Sequence, residues 1–392
     1  MPIVVQKYGG SSVADPTKIK AVAQKIADKR RAGYDVCVVV SAMGDTTDDL
    51  LTLSKKVTEN PQKRELDMLL TAGERISMAL LSMALNDLGV PAISFTGSQS
   101  GIITNDSHTH AQIVEVRPYR VRDELGLGKV VICAGYQGVS YKREITTLGR
   151  GGSDTTAVAM AAALGAEACE IYSDVDGVFS ADPRVVAQAK KLKEIDYEEM
   201  QELAEAGAKV LNAAAVEFAR KAGIAIDALS TFQKGDGTRV RAAGGAQRVT
   251  GIAGEKEMVL LTFRGATPSL LCELCEFLDA RGVSGRQISL AGDASTMGLP
   301  LENLHGYSAF KEALQQRFGE KVALQEGVGM VSAVGVGINA DHAHLRRAVS
   351  AVESMGVKVL GVHTSPLKLS ILVPVEKVPD CVRRLHEALL ET

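Results

Sequence analysis

Short apolar runs recur through the first 180 residues of this chain, with helical stretches between them: "IVVQKYG" from residue 3, "DVCVVVSAMG" from 35, "VPAISFTG" from 90, "KVVICAGYQG" from 129 and "ACEIYSDVDG" from 168. The second is apolar without alternation, as expected for a strand covered on both faces. Strand and helix alternating in this way predict an α/β domain built on a largely parallel sheet. Asp15-Pro16 starts the first intervening helix, with a cap residue and a proline at the first helical position. Sheets of this kind bind ligands at the carboxyl ends of their strands. The polar and glycine clusters fall there, at residues 7–12, 41–45, 135–138 and 173–177.

The length of 392 residues suggests two or three domains. A net charge of −3 and the lack of tryptophan argue against nucleic acid as a partner. No secretory signal is visible and no apolar run reaches bilayer length, so no membrane association and a cytoplasmic location are expected. Cys37, Cys133, Cys169 and Cys381 read as buried free thiols; "CELC" (residues 272–275) has zinc or redox spacing but no second ligand pair, and reads as core packing. The pairs His108/His110 and His342/His344 lack a third ligand and read as surface residues, so no protein metal site is expected.

Near residue 235 the texture changes to the glycine- and charge-rich "QKGDGTRVRAAGGAQR", a linker over 233–248. Two similar blocks follow, each strand–helix–strand in pattern, which predicts duplicated βαββαβ units over 249–326 and 327–392. The C-terminal strand is a candidate to complete the first of them. The catalytic part then spans 1–232.

Several clusters could carry chemistry. In "KYGGSS", Gly9 and Gly10 let backbone approach a phosphate and Lys7 supplies a point charge; a surface lysine beside a tight turn has the same pattern. "SAMGDTTDDL" offers Ser41 and Gly44 to phosphate and Thr47 to a substrate, or simply caps a helix. Glu74 in "LTAGERIS" could pair with an ammonium or be a solvated helix charge. In "TLGRGGSDTTAVAMAAALGA" a glycine-rich turn feeds a helix capped by Ser153 or Asp154, and such a turn attracts anions. The aspartates of "YSDVDGVFSADPR" suit nucleotide hydroxyls or metal-bound waters, or ordinary Asx turns.

Together and in this order, "KYGGSSVAD", "SAMGDTTDDL", "LTAGERIS", "GIITNDSHTHAQIVEV", "AGYQG", "ITTLGRGGSDTTAVAMAAAL", "YSDVDGVFSADPR" and "AGAKVL" resemble the aspartate kinases, and the tail repeats look like that family's paired ACT domains. The resemblance implies an amino-acid-kinase fold followed by two α+β ACT-type domains. It implies transfer of a phosphoryl group from ATP, with Mg2+ on the phosphates, to the side-chain carboxylate of L-aspartate. It implies ATP contacts at Lys7, Tyr8, Gly9, Gly10, Ser41, Ser173, Asp174, Phe179, Ser180, Ala181, Asp182, Pro183, Arg184, Lys209 and Val210. Aspartate would be held by Thr47, Glu74, Arg150, Gly151, Gly152 and Ser153; Lys7 and Asp154 would be catalytic, Asp154 by orienting lysine. A homo-oligomer formed through the ACT sheets is also implied. Relatives of the same fold act on other acceptors, such as N-acetylglutamate, carbamate or UMP, and a non-catalytic amino-acid sensor is a further alternative. The chain departs from the family at Asn212-Ala213, where His-Pro is usual, and in the loops "RGATPSLL", "GINADHAHL" and "RQISLAGD", which lack the usual effector residues. Those loops weigh against feedback by lysine or threonine.

Overall fold

The computed structural model describes residues 1–244, 248–265, 267–291, 295–301, 304 and 306–391. The chain divides into two units, one of residues 1–178, 191–204 and 209–244, the other of residues 179–190, 205–208 and 245–392.

In chain order the first unit contains β1 (Ile3–Tyr8), α1 (Pro16–Arg31), β2 (Asp35–Val40), α2 (Thr46–Val57), α3 (Lys63–Leu70), α4 (Ala72–Asp87), β3 (Ala92–Phe95), β4 (Ile102–Thr104), β5 (Ile113–Val116), α5 (Tyr119–Gly126), β6 (Val130–Ala134), β7 (Gln137–Ser140), β8 (Ile145–Thr147), α6 (Gly152–Leu164), β9 (Cys169–Ser173), β10 (Glu194–Ile195), α7 (Tyr197–Glu205), α8 (Ala213–Ala222), β11 (Ile226–Ser230) and β12 (Thr238–Val240). The main sheet runs β10-β12-β11-β9-β1-β2-β6-β3. Its inner strands are parallel, from Ile3↔Asp35 to Tyr8↔Val40 for β1 and β2. Val36, Val38 and Val40 face one core shared with α1 and α4, through Ile19, Val22, Ile26, Leu81 and Leu85. Valines fit a pleated surface covered by helices, which is why this run forms an interior strand. Asp15 caps α1 as expected, accepting from the Lys18 amide at 2.9 Å.

Three readings need correction here. The run "KVVICAGYQG" is not one strand: Tyr136, at φ 66°, breaks it, and β7 joins a second sheet of order β5-β4-β7-β8. Residues 238–240, assigned to the linker, form β12 at the main sheet's edge. Residues 63–87 are long and apolar enough to cross a bilayer by composition. Half of their most apolar part is buried inside the protein and Glu74 lies among them, the setting of a core helix.

The second unit contains β13 (Gly251–Glu255), β14 (Met258–Phe263), α9 (Pro268–Asp279), β15 (Arg286–Ser289), β16 (Thr296–Pro300), α10 (Tyr307–Phe318), β17 (Val322–Gln325), β18 (Val328–Val334), α11 (Ala343–Glu353), β19 (Gly361–Ser365), β20 (Lys368–Pro374) and α12 (Val378–Leu390). Strands β15-β16-β14-β17 form one antiparallel sheet and β13-β18-β20-β19 another. The elements from β14 to β17 are a complete βαββαβ unit. The second repeat has only three strands of its own, and β13 fills its fourth place, pairing Gly251↔Val334 through Glu255↔Met330. The division at 326/327 therefore does not match the sheets: 251–255, placed in the first repeat, belongs to the second, and the C-terminal strand stays in its own sheet. Thr267 caps α9, accepting from the Leu270 amide at 3.2 Å, ahead of Pro268. Leu270, Leu274 and Leu278 point into the core, Cys275 is half-buried, and Cys272 is exposed rather than packed. Ala266, Gly292 and Asp293 of the departing loops lie outside the described residues.

Candidate active site

The carboxyl ends of β1, β2, β6 and β9 gather the polar clusters of the first unit. Lys7 lies near the end of β1, and its ammonium forms an ion pair with Asp154 at 2.6 Å, both side chains almost buried. Asp154 sits in the first turn of α6. The cap of that helix is Gly151, at φ 71°, and neither Ser153 nor Asp154 makes a capping hydrogen bond, contrary to the sequence reading. The Asp154 side chain is thus free to turn across the sheet to Lys7. Its negative charge there is favoured by the helix N-terminus.

The turn after β1 and the turn after β2 are tied together: the Gly44 amide donates to the Gly10 carbonyl at 3.1 Å, and the Ser41 amide donates to the Tyr8 carbonyl at 3.1 Å. A side chain at Gly10 would meet the Ala42 carbonyl at 2.9 Å, so only glycine lets these loops touch. Ser41 is half-buried, and Thr47 lies half-buried in the first turn of α2. Ser173 ends β9 next to Tyr172, whose carbonyl receives the Gly9 amide at 3.3 Å; Asp174 follows, exposed. Tyr8 differs from expectation. Its ring is fully buried and stacked on Tyr172 at 4.8 Å, so only its backbone faces the turn.

Glu74 lies one residue into α4 beyond Gly73. A β-carbon on Gly73 would come within 2.7 Å of the Ala42 side chain, so glycine brings α4 against the loop after β2. Glu74 then accepts from the Ala42 amide through Oε1 at 3.1 Å, while Oε2 is buried with no protein partner. Burial pushes its carboxyl from the ordinary 4.5 up to about 7. A buried carboxylate oxygen without a donor is costly, and an arriving cation would supply one.

The turn carrying Arg150 leads into α6. Its left-handed Gly149 and Gly151 have φ of 76° and 71°. Asn212 closes this turn, donating from Nδ2 to the Arg150 carbonyl at 3.4 Å. The same side chain caps α8, accepting from the Ala214 and Ala215 amides. The substitution of His-Pro by Asn-Ala leaves a well-formed turn. Gly152 and Ser153 are buried, the Ser153 hydroxyl lying beside Gly135. Tyr136 connects the two walls. Burial, and the nearby charges of Glu74 and Asp67, push its hydroxyl up to about 12, while Arg150 acts in the opposite sense. Glu74 and Arg150 therefore act on the same hydroxyl group. Tyr136 was missed by sequence reasoning, although "AGYQG" was among the motifs.

The remaining expected contacts are distributed differently. Lys209 is exposed and Val210 half-buried just before α8, in the first unit. Phe179, Ser180, Ala181, Asp182, Pro183 and Arg184 belong to the second unit. There the Ser180 hydroxyl is engaged by His386 and by the Lys190 amide, each at 2.9 Å, and Ala181 is in the core. Arg184 donates twice to Asp182, which holds that carboxyl below its usual range. Ser180 is thus occupied throughout, its amide also donating to the Lys190 carbonyl at 2.9 Å and its carbonyl accepting from the Ile252 amide at 2.7 Å, contrary to the expected nucleotide contact. Among the described residues no cluster of three metal-ligating side chains forms.

The Amino acid kinase family profile matches residues 2–227. The aspartokinase of Mycolicibacterium smegmatis is 42% identical over 406 residues, covering 99% of this chain and 96% of that protein. The chain belongs to the aspartokinases. The Geobacillus stearothermophilus aspartokinase is 40% identical over 403 residues, covering 99% of this chain and 97% of its own length. Among solved structures, Escherichia coli aspartokinase III in complex with aspartate and ADP matches at TM-score 0.86 and 24% identity, over 99% of both chains. Its complex with lysine and aspartate matches at TM-score 0.77. These two likenesses establish the shared fold, an amino-acid-kinase domain followed by β/α tail domains.

Proposed function

We propose that the chain transfers the γ-phosphoryl group of ATP to the side-chain carboxylate of L-aspartate, giving 4-phospho-L-aspartate and ADP at the start of lysine, threonine and methionine synthesis. The observation that carries this reading is an orphaned, buried Glu74 oxygen whose charge, like that of Arg150, is felt at the Tyr136 hydroxyl, in the same unit as the Lys7–Asp154 pair. An amino acid carries an ammonium and a carboxylate, and these two walls match them. Glu74 accepts from the α-ammonium. Arg150 takes the α-carboxylate through its planar fork, which lysine cannot reproduce. The glycine amides of the turn and Thr47 complete the grip, leaving the side-chain carboxylate to face the loops after β1 and β2.

The nucleophile is already an anion, so no general base is required. One carboxylate oxygen bonds to the γ-phosphorus as the bond to the ADP oxygen breaks, and no proton need move. Catalysis then consists of bringing two anions together and neutralising the charge on the transferring group. Lys7 does the second, held in place by Asp154; the Gly9, Gly10 and Ser41 loops receive the phosphates. Ser173, Asp174, Lys209 and Val210 are assigned to the nucleotide. Mg2+ fits this donor set only as an ion carried on the phosphates, since the described side chains offer no cage; when bound it supplies further neutralisation of phosphate charge.

Initial rates of ADP release with a panel of acceptors test the reading. Turnover with L-aspartate, and none with N-acetylglutamate, glutamate or carbamate, is expected. Equal rates for wild type and Lys7→Ala would refute it. We also assign the tail sheets to self-association. Ile288 on β15 and Val362 on β19 leave apolar side chains exposed on edge strands, which in an isolated chain invite pairing. Light scattering on the purified chain is expected to give a multiple of 41.5 kDa.

A further inference from the structure

Asp67, in α3, is wholly buried although nothing in the reaction as described uses it. Its carboxylate holds three residues on two other segments at once. Thr147, the last residue of β8, donates its hydroxyl to Oδ1 at 2.5 Å. The Thr109 amide donates at 3.1 Å to Oδ1 and 3.2 Å to Oδ2. His108 donates from Nδ1 to Oδ2 at 2.6 Å, and its side chain is only 20% exposed, not the free surface histidine expected from "HTH". The turn so gripped is under strain, because Thr109 has φ 70°.

The gripped segments lead directly to the substrate turn. The Ala111 amide donates to the Thr147 carbonyl at 2.9 Å. Gly149 sits against the same turn: a β-carbon there would lie 3.0 Å from His110 Nδ1 and 3.4 Å from the Thr109 carbonyl. Thr147 also hydrogen-bonds Tyr136, whose hydroxyl responds to both Glu74 and Arg150. Asp67 thus supports the back of the turn whose front carries Arg150.

We propose that Asp67 is a positioning residue for the amino-acid substrate, fixing the Gly149–Arg150 turn by clamping the 105–111 loop and Thr147 together. The proposal rests on the assignment of Arg150 to the substrate carboxylate. A carboxylate is needed here because it accepts from an amide, a hydroxyl and an imidazole at once, whereas an amide side chain would set an NH2 against one of those donors.

The experiment is steady-state kinetics of the full chain with each substrate varied. Asp67→Asn is expected to raise KM for aspartate by about tenfold to a hundredfold while KM for ATP stays within about twofold. Thr147→Val should reproduce that split, and Thr147→Ser, which restores the hydroxyl, should return it to wild type. Asp67→Asn combined with Thr147→Val should be no worse than either alone. If Asp67→Asn does not fold, the Thr147 pair carries the test. KM for aspartate unchanged in Asp67→Asn or Thr147→Val, or KM for both substrates raised alike, overturns the proposal. Arg150→Lys serves as the control. If it raises KM for aspartate and the clamp variants do not, only the Asp67 proposal fails; if it leaves that KM unchanged, the assignment of Arg150 fails instead.

Discussion

Replacing Glu74 by Gln separates two effects that the buried carboxylate combines. Its pKa of about 7, against an ordinary 4.5, is set mainly by burial. That interval corresponds to about 3 kcal/mol, since each pK unit is worth about 1.4 kcal/mol. The sign follows from the protonated form being preferred in the folded protein. Stability from this group is fully present below pH 4.5 and is lost as pH rises through about 7. Gln removes the ionisation, so unfolding by urea should show Glu74→Gln level with wild type near pH 4 and more stable by up to about 3 kcal/mol near pH 8.5. Activity should move the other way. The ionised carboxylate is needed for the α-ammonium, so wild-type kcat/KM for aspartate should climb as pH passes through about 7, because that ratio reports the free enzyme. A hydrogen bond to a charged group is worth about 1.5–3 kcal/mol, so Glu74→Gln should raise KM for aspartate by about tenfold to a hundredfold and flatten the profile. A variant less stable than wild type at pH 8.5, or a wild-type profile flat between pH 6 and 8.5, would refute this account of the pocket.

Other substitutions test neighbouring parts of the site. Lys7→Ala should cut kcat by at least about a hundredfold with little change in KM for aspartate, because its charge acts on the transferring group; single-turnover rates check this. Asn212→Ala should cost about 1 kcal/mol through loss of the α8 cap, and Asn212→Asp, which retains the acceptor, should recover most of it, as measured by urea unfolding. Gly73→Ala places a methyl group 2.7 Å from Ala42, so α4 must retreat; KM for aspartate should rise with kcat nearly unchanged.

How far the sequence exposed this arrangement depended on the range of the interactions involved. The valines of β2 and the Asp15-Pro16 start of α1 are local signals, and both elements formed where expected. Lys7, Glu74 and Arg150 were marked by glycines whose purpose is backbone proximity, a property that survives in sequence. The start of α6 was misjudged because a left-handed glycine can cap as well as a serine. Strands β4, β5, β7 and β8 are three or four residues each, too short for alternation to register. Asp67 in "RELDMLL" looks like any helix charge. Only contacts from residues 108, 109 and 147 reveal that it is buried, and no local pattern encodes those. The same holds for Ser180, whose hydroxyl is taken by a histidine 206 positions away.

The pairing of β13 with β18 makes these strands a hairpin whose connection is an entire small domain, residues 256–327. The two ends of that excursion leave from neighbouring positions on one ladder, and Met258 and Leu260 of its first strand pack back on Val328, Met330 and Leu372, so a short turn in its place would uncover those three. During synthesis β13 must wait for the excursion to be made before its partner exists, and the ladder can zip only afterwards. The entropic toll of such a wide gap grows only logarithmically with its length. A shortened chain lacking the excursion should therefore close this sheet sooner, and the guest should fold by itself when made alone.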